Sequence, residues 1–83
     1  MYASDTCSKC LLHLKPGASG CIQHFGNIDP MLKQRLADLG VTEGSYVTVK
    51  RYCPWGGPVT LESGGQLFGI RKQQASYIEV VVS

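Results

Sequence analysis

The run from Asp29 to Gly40 limits what this chain can fold into more than any other, because it specifies one short helix and marks both of its ends. Asp29 suits the N-cap, where its carboxylate accepts from an N–H of the first turn that has no partner within the helix. Pro30 suits the first helical position, whose N–H has no such partner either. Leu32, Leu36 and Leu39 recur at i, i+4 and i+7 and so share a face. Gly40 suits the left-handed position just beyond a helix end. Around this helix, over about residues 29–39, the chain reads as short strands. The helix is therefore expected to plug one end of a small sheet or barrel, with the three leucines sealing it.

The strands are set by alternation and by breakers. Leu11–Leu14 and Cys21–Phe25 read as two short strands, the second needing an irregularity to turn both Ile22 and Phe25 inward. Tyr46–Tyr52 alternates cleanly, with Val47 and Val49 on one face. Cys53-Pro54-Trp55-Gly56-Gly57-Pro58 holds two prolines and two glycines in six residues and reads as a loop. Val59–Glu62 and Gln66–Ile70 are strands joined by a turn at Ser63-Gly64-Gly65. Residues 71–76 form about one helical turn, and Tyr77–Val82 is a closing strand. Mainly β, with five to six strands and one inserted helix, the chain is expected to form a small, bent antiparallel barrel whose closure removes exposed edges. The first ten residues are polar and read as a loosely held arm before a barrel over 11–83, with residues 1–8 expected to be dispensable to its stability.

With 83 residues the chain is one domain, and 43% apolar content is enough for a thin core. A net charge of +2, with basic pairs only at Lys50-Arg51 and Arg71-Lys72, gives no stripe for nucleic acid. No apolar run approaches the ~18 residues needed to span a bilayer. The first residues carry no basic and apolar regions of a secretory signal. A cytoplasmic protein with four reduced cysteines is the expectation, without direct membrane insertion.

Few residues have the arrangement that chemistry needs. Cys7-x-x-Cys10-x-x-His13 and Cys21-x-x-His24 are the ligand-type clusters. Two cysteines so spaced chelate Zn²⁺ where a tight turn brings both sulfurs to ~2.3 Å of one ion. Cys7, Cys10, His13 and Cys21 are the candidate set for zinc or another divalent transition metal, which the fold itself does not require. Against this stands the plainer reading of exposed thiols and surface histidines. Trp55 is either an anchor for a partner's pocket or a cover over the barrel end. Met31 and Arg35 on the helix are further candidates for partner contact, and Arg35 has Asp38 and Glu43 within reach for an ion pair. No carboxylate pair, nucleophile elbow or phosphate loop is present, so an enzyme is not expected.

Leu14, Gly17-x-x-Gly20-x-Ile22, Arg35-Leu36-x-x-Leu39-Gly40, Gly44-x-x-Val47-x-Val49, the Cys53–Pro58 loop, Ile70-Arg71-x-x-x-Ala75 and Ile78-x-Val80, in this order and spacing, resemble the FeoA family of bacterial ferrous iron transport. The resemblance runs over about residues 11–82. It implies an SH3-like barrel and a non-enzymatic regulatory role, exercised by binding the cytosolic part of FeoB, the membrane GTPase and permease. It also leaves room for a homo-oligomer. Two other readings compete. One is a small zinc carrier or sensor using the Cys/His cluster. The other is a detached regulatory domain of a metal-dependent repressor, which lacks here the helix pair that would read DNA.

Overall fold

The computed structural model describes residues 7–53 and 55–82, with side chains from residue 10 onward. Six strands form one antiparallel sheet: β1 (Cys7–Cys10), β2 (Ser19–His24), β3 (Tyr46–Tyr52), β4 (Val59–Ser63), β5 (Gln66–Ile70) and β6 (Glu79–Val82). A 3₁₀ turn (Leu11–His13) follows β1. Helix α1 (Pro30–Asp38) joins β2 to β3, and the single-turn α2 (Lys72–Ala75) precedes β6. The strand order is β1-β6-β2-β3-β4-β5. The last strand therefore lies inside the sheet. The order has two ends, and no β1–β5 ladder joins them among the described residues, so the expected closure is replaced by an open, barrel-like sheet.

Helix α1 follows its sequence signals. The Asp29 Oδ1 accepts from the Met31 N–H at 3.0 Å, and Pro30 opens the helix. At the other end Gly40 has φ +85°, its N–H donates to the Ala37 carbonyl, and the Val41 N–H donates to the Leu36 carbonyl at 2.8 Å. This paired arrangement brings the apolar residue after the glycine back onto the helix. Val41 is buried as a result, while Leu39 is 41% exposed. Leu36 is buried and Leu32 packs half-buried beside it. The seal is thus made by Leu32, Leu36 and Val41, and not by the three leucines the spacing suggested. Burying a leucine such as Leu36 is worth roughly 1.5–3 kcal/mol.

Ile22, Val47, Val49, Val59, Leu61, Ile70, Ile78 and Val80 are all buried. In β2, Ile22 pairs with Val80 but His24 pairs with Glu79, so β2 carries one extra residue against β6. That bulge is the irregularity Phe25 needed to reach the core, and Phe25 is buried.

Two segments differ from the sequence reading. Leu11–His13 is a 3₁₀ turn with Leu14 as its C-cap, rather than a strand over Leu11–Leu14. Leu11 and Leu14 are both buried. Three residues apart, they lie on one side of such a turn, whereas a strand would send them to opposite faces. The strand lies just before it: residues 7–10 of the expected arm pair with β6, Cys7 opposite Val82 and Cys10 opposite Glu79. Residues 1–6 of the arm lie outside the described residues.

Candidate functional site

Two of the residues singled out for partner contact, Met31 and Arg35, lie on one groove. Met31 is 76% exposed, and Arg35, one turn further along α1, is exposed as well. Together with Leu32 they form one wall of a groove of about 420 Å³. The opposite wall is Ile70 at the end of β5, Arg71 after it, and Pro58 from the loop that carries Trp55. The groove is tied at its end by the Asp29 N–H, which donates to Gln74 Oε1 of α2 at 2.7 Å. Pro58 and Arg71 also border a second depression of about 350 Å³, formed with Gly56, Gly57 and Lys72. The loop and the helix, read separately from sequence, thus border one continuous surface.

Trp55 is 92% exposed. It does not fold back over the barrel, so the covering role considered for it is excluded. The loop beneath it is tight: a Cβ at Gly57 would come within 2.6 Å of the Cys53 Sγ. Gly57 is therefore fixed by the cysteine, which is half-buried. Arg35 makes no ion pair with Asp38 or Glu43. Asp38 instead accepts from Gln34 Nε2 at 3.1 Å. Lys50, one of the basic residues, is held by Glu62 at 3.2 Å.

Among the described side chains, the candidate metal ligands Cys10, His13 and Cys21 are not gathered into one group. The backbone from Cys7 to Cys10 is an extended strand, which places the two Cα atoms about 10 Å apart and supplies no chelating turn. The Cys10 thiol donates to the Ser76 carbonyl at 3.3 Å, and the Cys21 thiol to the Gly44 carbonyl at 3.4 Å. His13 is exposed on the 3₁₀ turn. Across the sheet Cys10, Glu79 and His24 stand in one row, and His24 Nε2 lies 3.1 Å from Glu79 Oε1. Among the described residues, no three His, Cys, Asp or Glu side chains come together as a metal-holding group.

Ile70 and Arg71 line the groove although sequence does not single them out: they read as a strand end and the start of a helical turn, while Pro58 belongs to the loop that carries Trp55. Their shared place depends on β5 and α1 meeting, which no local pattern encodes.

The FeoA domain model matches residues 9–82, nearly the whole chain. The chain belongs to the FeoA family. FeoA proteins are small, transport-associated accessory proteins linked to ferrous iron, not a known enzyme family, and the SH3-like fold expected from the resemblance is the fold found. The solution structure of the FeoA protein from Chlorobium tepidum is 30% identical, with TM-score 0.82 over 89% of this chain and 70% of that one. A FeoA from Stenotrophomonas maltophilia, solved in complex with zinc and described as a possible ferrous iron transport activating factor, is 23% identical. Its TM-score is 0.68 over 84% of this chain and 86% of its own. A manganese-dependent transcriptional repressor shares the fold, at 18% identity and TM-score 0.78. The match spans 92% of this chain but 42% of the repressor. Among curated protein sequences, none matches the chain. No helix among the described residues is long and apolar enough to cross a membrane.

Proposed function

We propose that this FeoA-family chain is a non-catalytic accessory of ferrous iron uptake that binds the cytosolic part of a FeoB-like membrane GTPase and permease. It acts in the cytoplasm and is held at the inner face of the membrane by that partner. The observation that carries this reading is Trp55, 92% exposed on a glycine-tightened loop. A large aromatic held out from a fixed loop is the kind of anchor that dominates interface energetics. Met31, 76% exposed on α1, lines a groove that Pro58 of the same loop also borders. Binding shifts the transporter between its states only through contacts that differ between those states.

Co-purification tests the reading. The tagged chain is expected to retain the detergent-solubilised GTPase. Trp55→Ala, which removes an exposed side chain, should leave the melting temperature unchanged and lower retention roughly tenfold, as loss of an interface anchor does. Undiminished retention by Trp55→Ala removes the loop from the contact. Failure of the unaltered chain to retain the GTPase overturns the proposal.

A further inference from the structure

The groove beside α1 has a sheet edge as its other wall. β5 stands last in the strand order and pairs with β4 alone. Its register runs unbroken from Ser63 opposite Gln66 to Val59 opposite Ile70. The two residues between, Gly64 and Gly65, have φ +60° and +85°, the turn geometry that makes Ser63 and Gln66 a hydrogen-bonded pair. Bonded and non-bonded pairs then alternate along an antiparallel ladder. Leu67 and Gly69 fall at the non-bonded pairs, so their N–H and C=O groups point away from β4. Among the described residues nothing bonds to them. Natural edges are blunted by lysine, proline or a bulge, and Gln66–Ile70 carries none of these.

Gly69 opens directly onto the groove, opposite Met31, Leu32 and Arg35. Having no side chain, it lets another backbone approach. Arg35 and Arg71 flank the same space, and neither forms an ion pair among the described residues. An unpaired strand edge, an apolar wall and two guanidinium groups without an ion pair converge there; the Asp29 carboxylate also lines the groove, its Oδ1 engaged by the Met31 N–H, which leaves the lining one positive charge in excess.

We infer that this groove takes an extended acidic segment of a partner protein as a seventh strand. The segment bonds to Leu67 and Gly69, seats an apolar side chain between Met31, Leu32 and Ile70, and sets a carboxylate against Arg35 and Arg71. Main-chain bonds supply affinity in such strand addition and alternate side chains supply specificity, while guanidinium–carboxylate pairs fix the register. Charge selects the occupant: β5 of a second copy, Gln-Leu-Phe-Gly-Ile, would bring no carboxylate to the arginines. The inference rests on the reading of the chain as a binding module and adds the mode and chemistry of binding.

The test is a titration of the ¹⁵N-labelled full chain with acetyl-Glu-Val-Glu-Leu-Glu-Val-Glu-amide. Shifts are expected at Leu67 and Gly69 and along Met31–Arg35, with slowed amide exchange at Leu67 and Gly69. The same peptide with lysine for glutamate, or N-methylated at every residue, should bind at least about tenfold more weakly. Gly69→Ala keeps the N–H, and its Cβ meets Pro58 at an ordinary 3.7 Å, so binding should persist. Gly69→Pro removes an N–H that faces the groove and breaks no bond to β4, so binding should fall about tenfold or more. If Gly69→Pro does not fold, Arg35→Glu with Arg71→Glu, both exposed, should give the same loss. Equal binding of the N-methylated peptide, or shifts confined away from β5, overturns the inference. So does a peptide-free dimer whose contact shifts lie on β5, which would assign the edge to a second copy. Full retention of the GTPase by Gly69→Pro, with no peptide binding, sinks this inference and leaves the proposed function standing. Peptide binding at β5 without GTPase retention does the reverse.

Discussion

Tyr52 shows how one hydroxyl can hold two segments together. Its Oη donates to the Leu14 carbonyl and lies 3.2 Å from that of Leu12, tying the end of β3 to the 3₁₀ turn. Burial, with a smaller contribution from the nearby Cys10, pushes its pKa above 10.0. The fold thus favours the neutral phenol. Its contribution is complete below the unfolded value near 10 and is lost as pH rises through the higher folded value. Tyr52→Phe should cost about 0.5–1.5 kcal/mol at neutral pH. It should also lose less stability than the unaltered chain above about pH 10. Melting curves across pH 7–11 check both, and parallel pH profiles would refute the alkaline half. Gly26 is the matching backbone case. It has φ +65°, and a Cβ there would run into the Tyr77 carbonyl oxygen. A glycine is required at that position by space as well as by conformation.

At the scale of elements, α1 was the most legible part of the sequence, because capping is local chemistry and each cap residue acts on its neighbours. Asp29, Pro30 and Gly40 all took their expected places. Leu39 did not, since the left-handed turn at Gly40 hands its core position to Val41. The difference can be measured. Leu36→Ala should cost about 2–5 kcal/mol, and Leu39→Ala about 0.5 kcal/mol or less. Leu36→Asp should fail to fold, because an unpaired carboxylate would be buried. Urea denaturation reports the two alanine variants, and equal losses would mean that Leu39 shares the core. The bulge in β2 was legible for a similar reason, since Ile22 and Phe25 cannot both face inward from a regular strand. The 3₁₀ turn was not, because Leu11 and Leu14 are apolar in either element and tertiary packing decides between them. Of the candidate surface, Trp55, Met31 and Arg35 are legible from residue type and position, whereas Gly69, Ile70 and Arg71 join the groove only through a neighbour some 35–40 residues away in the chain.

For the molecule as a whole, strand order matters more than strand content. β6, Glu-Val-Val-Val, lies between β1 and β2. Removing residues 1–10 would turn this valine run into a bare edge, which is a template for pairing with other chains. That truncation should lower the melting temperature and produce association that grows with concentration, as read by light scattering. An unchanged melt with a monomeric profile would restore the arm as dispensable. The same placement also governs how the chain comes into being. A ribosome makes β1 and β2 early and their common neighbour last, more than fifty residues after β2 is complete. Until residues 79–82 emerge, β1 and β2 lack the strand that joins them, so the six-stranded sheet is completed only after its other five strands have been made. A nascent chain stalled short of that point holds every other strand in hand and still lacks the piece that joins them.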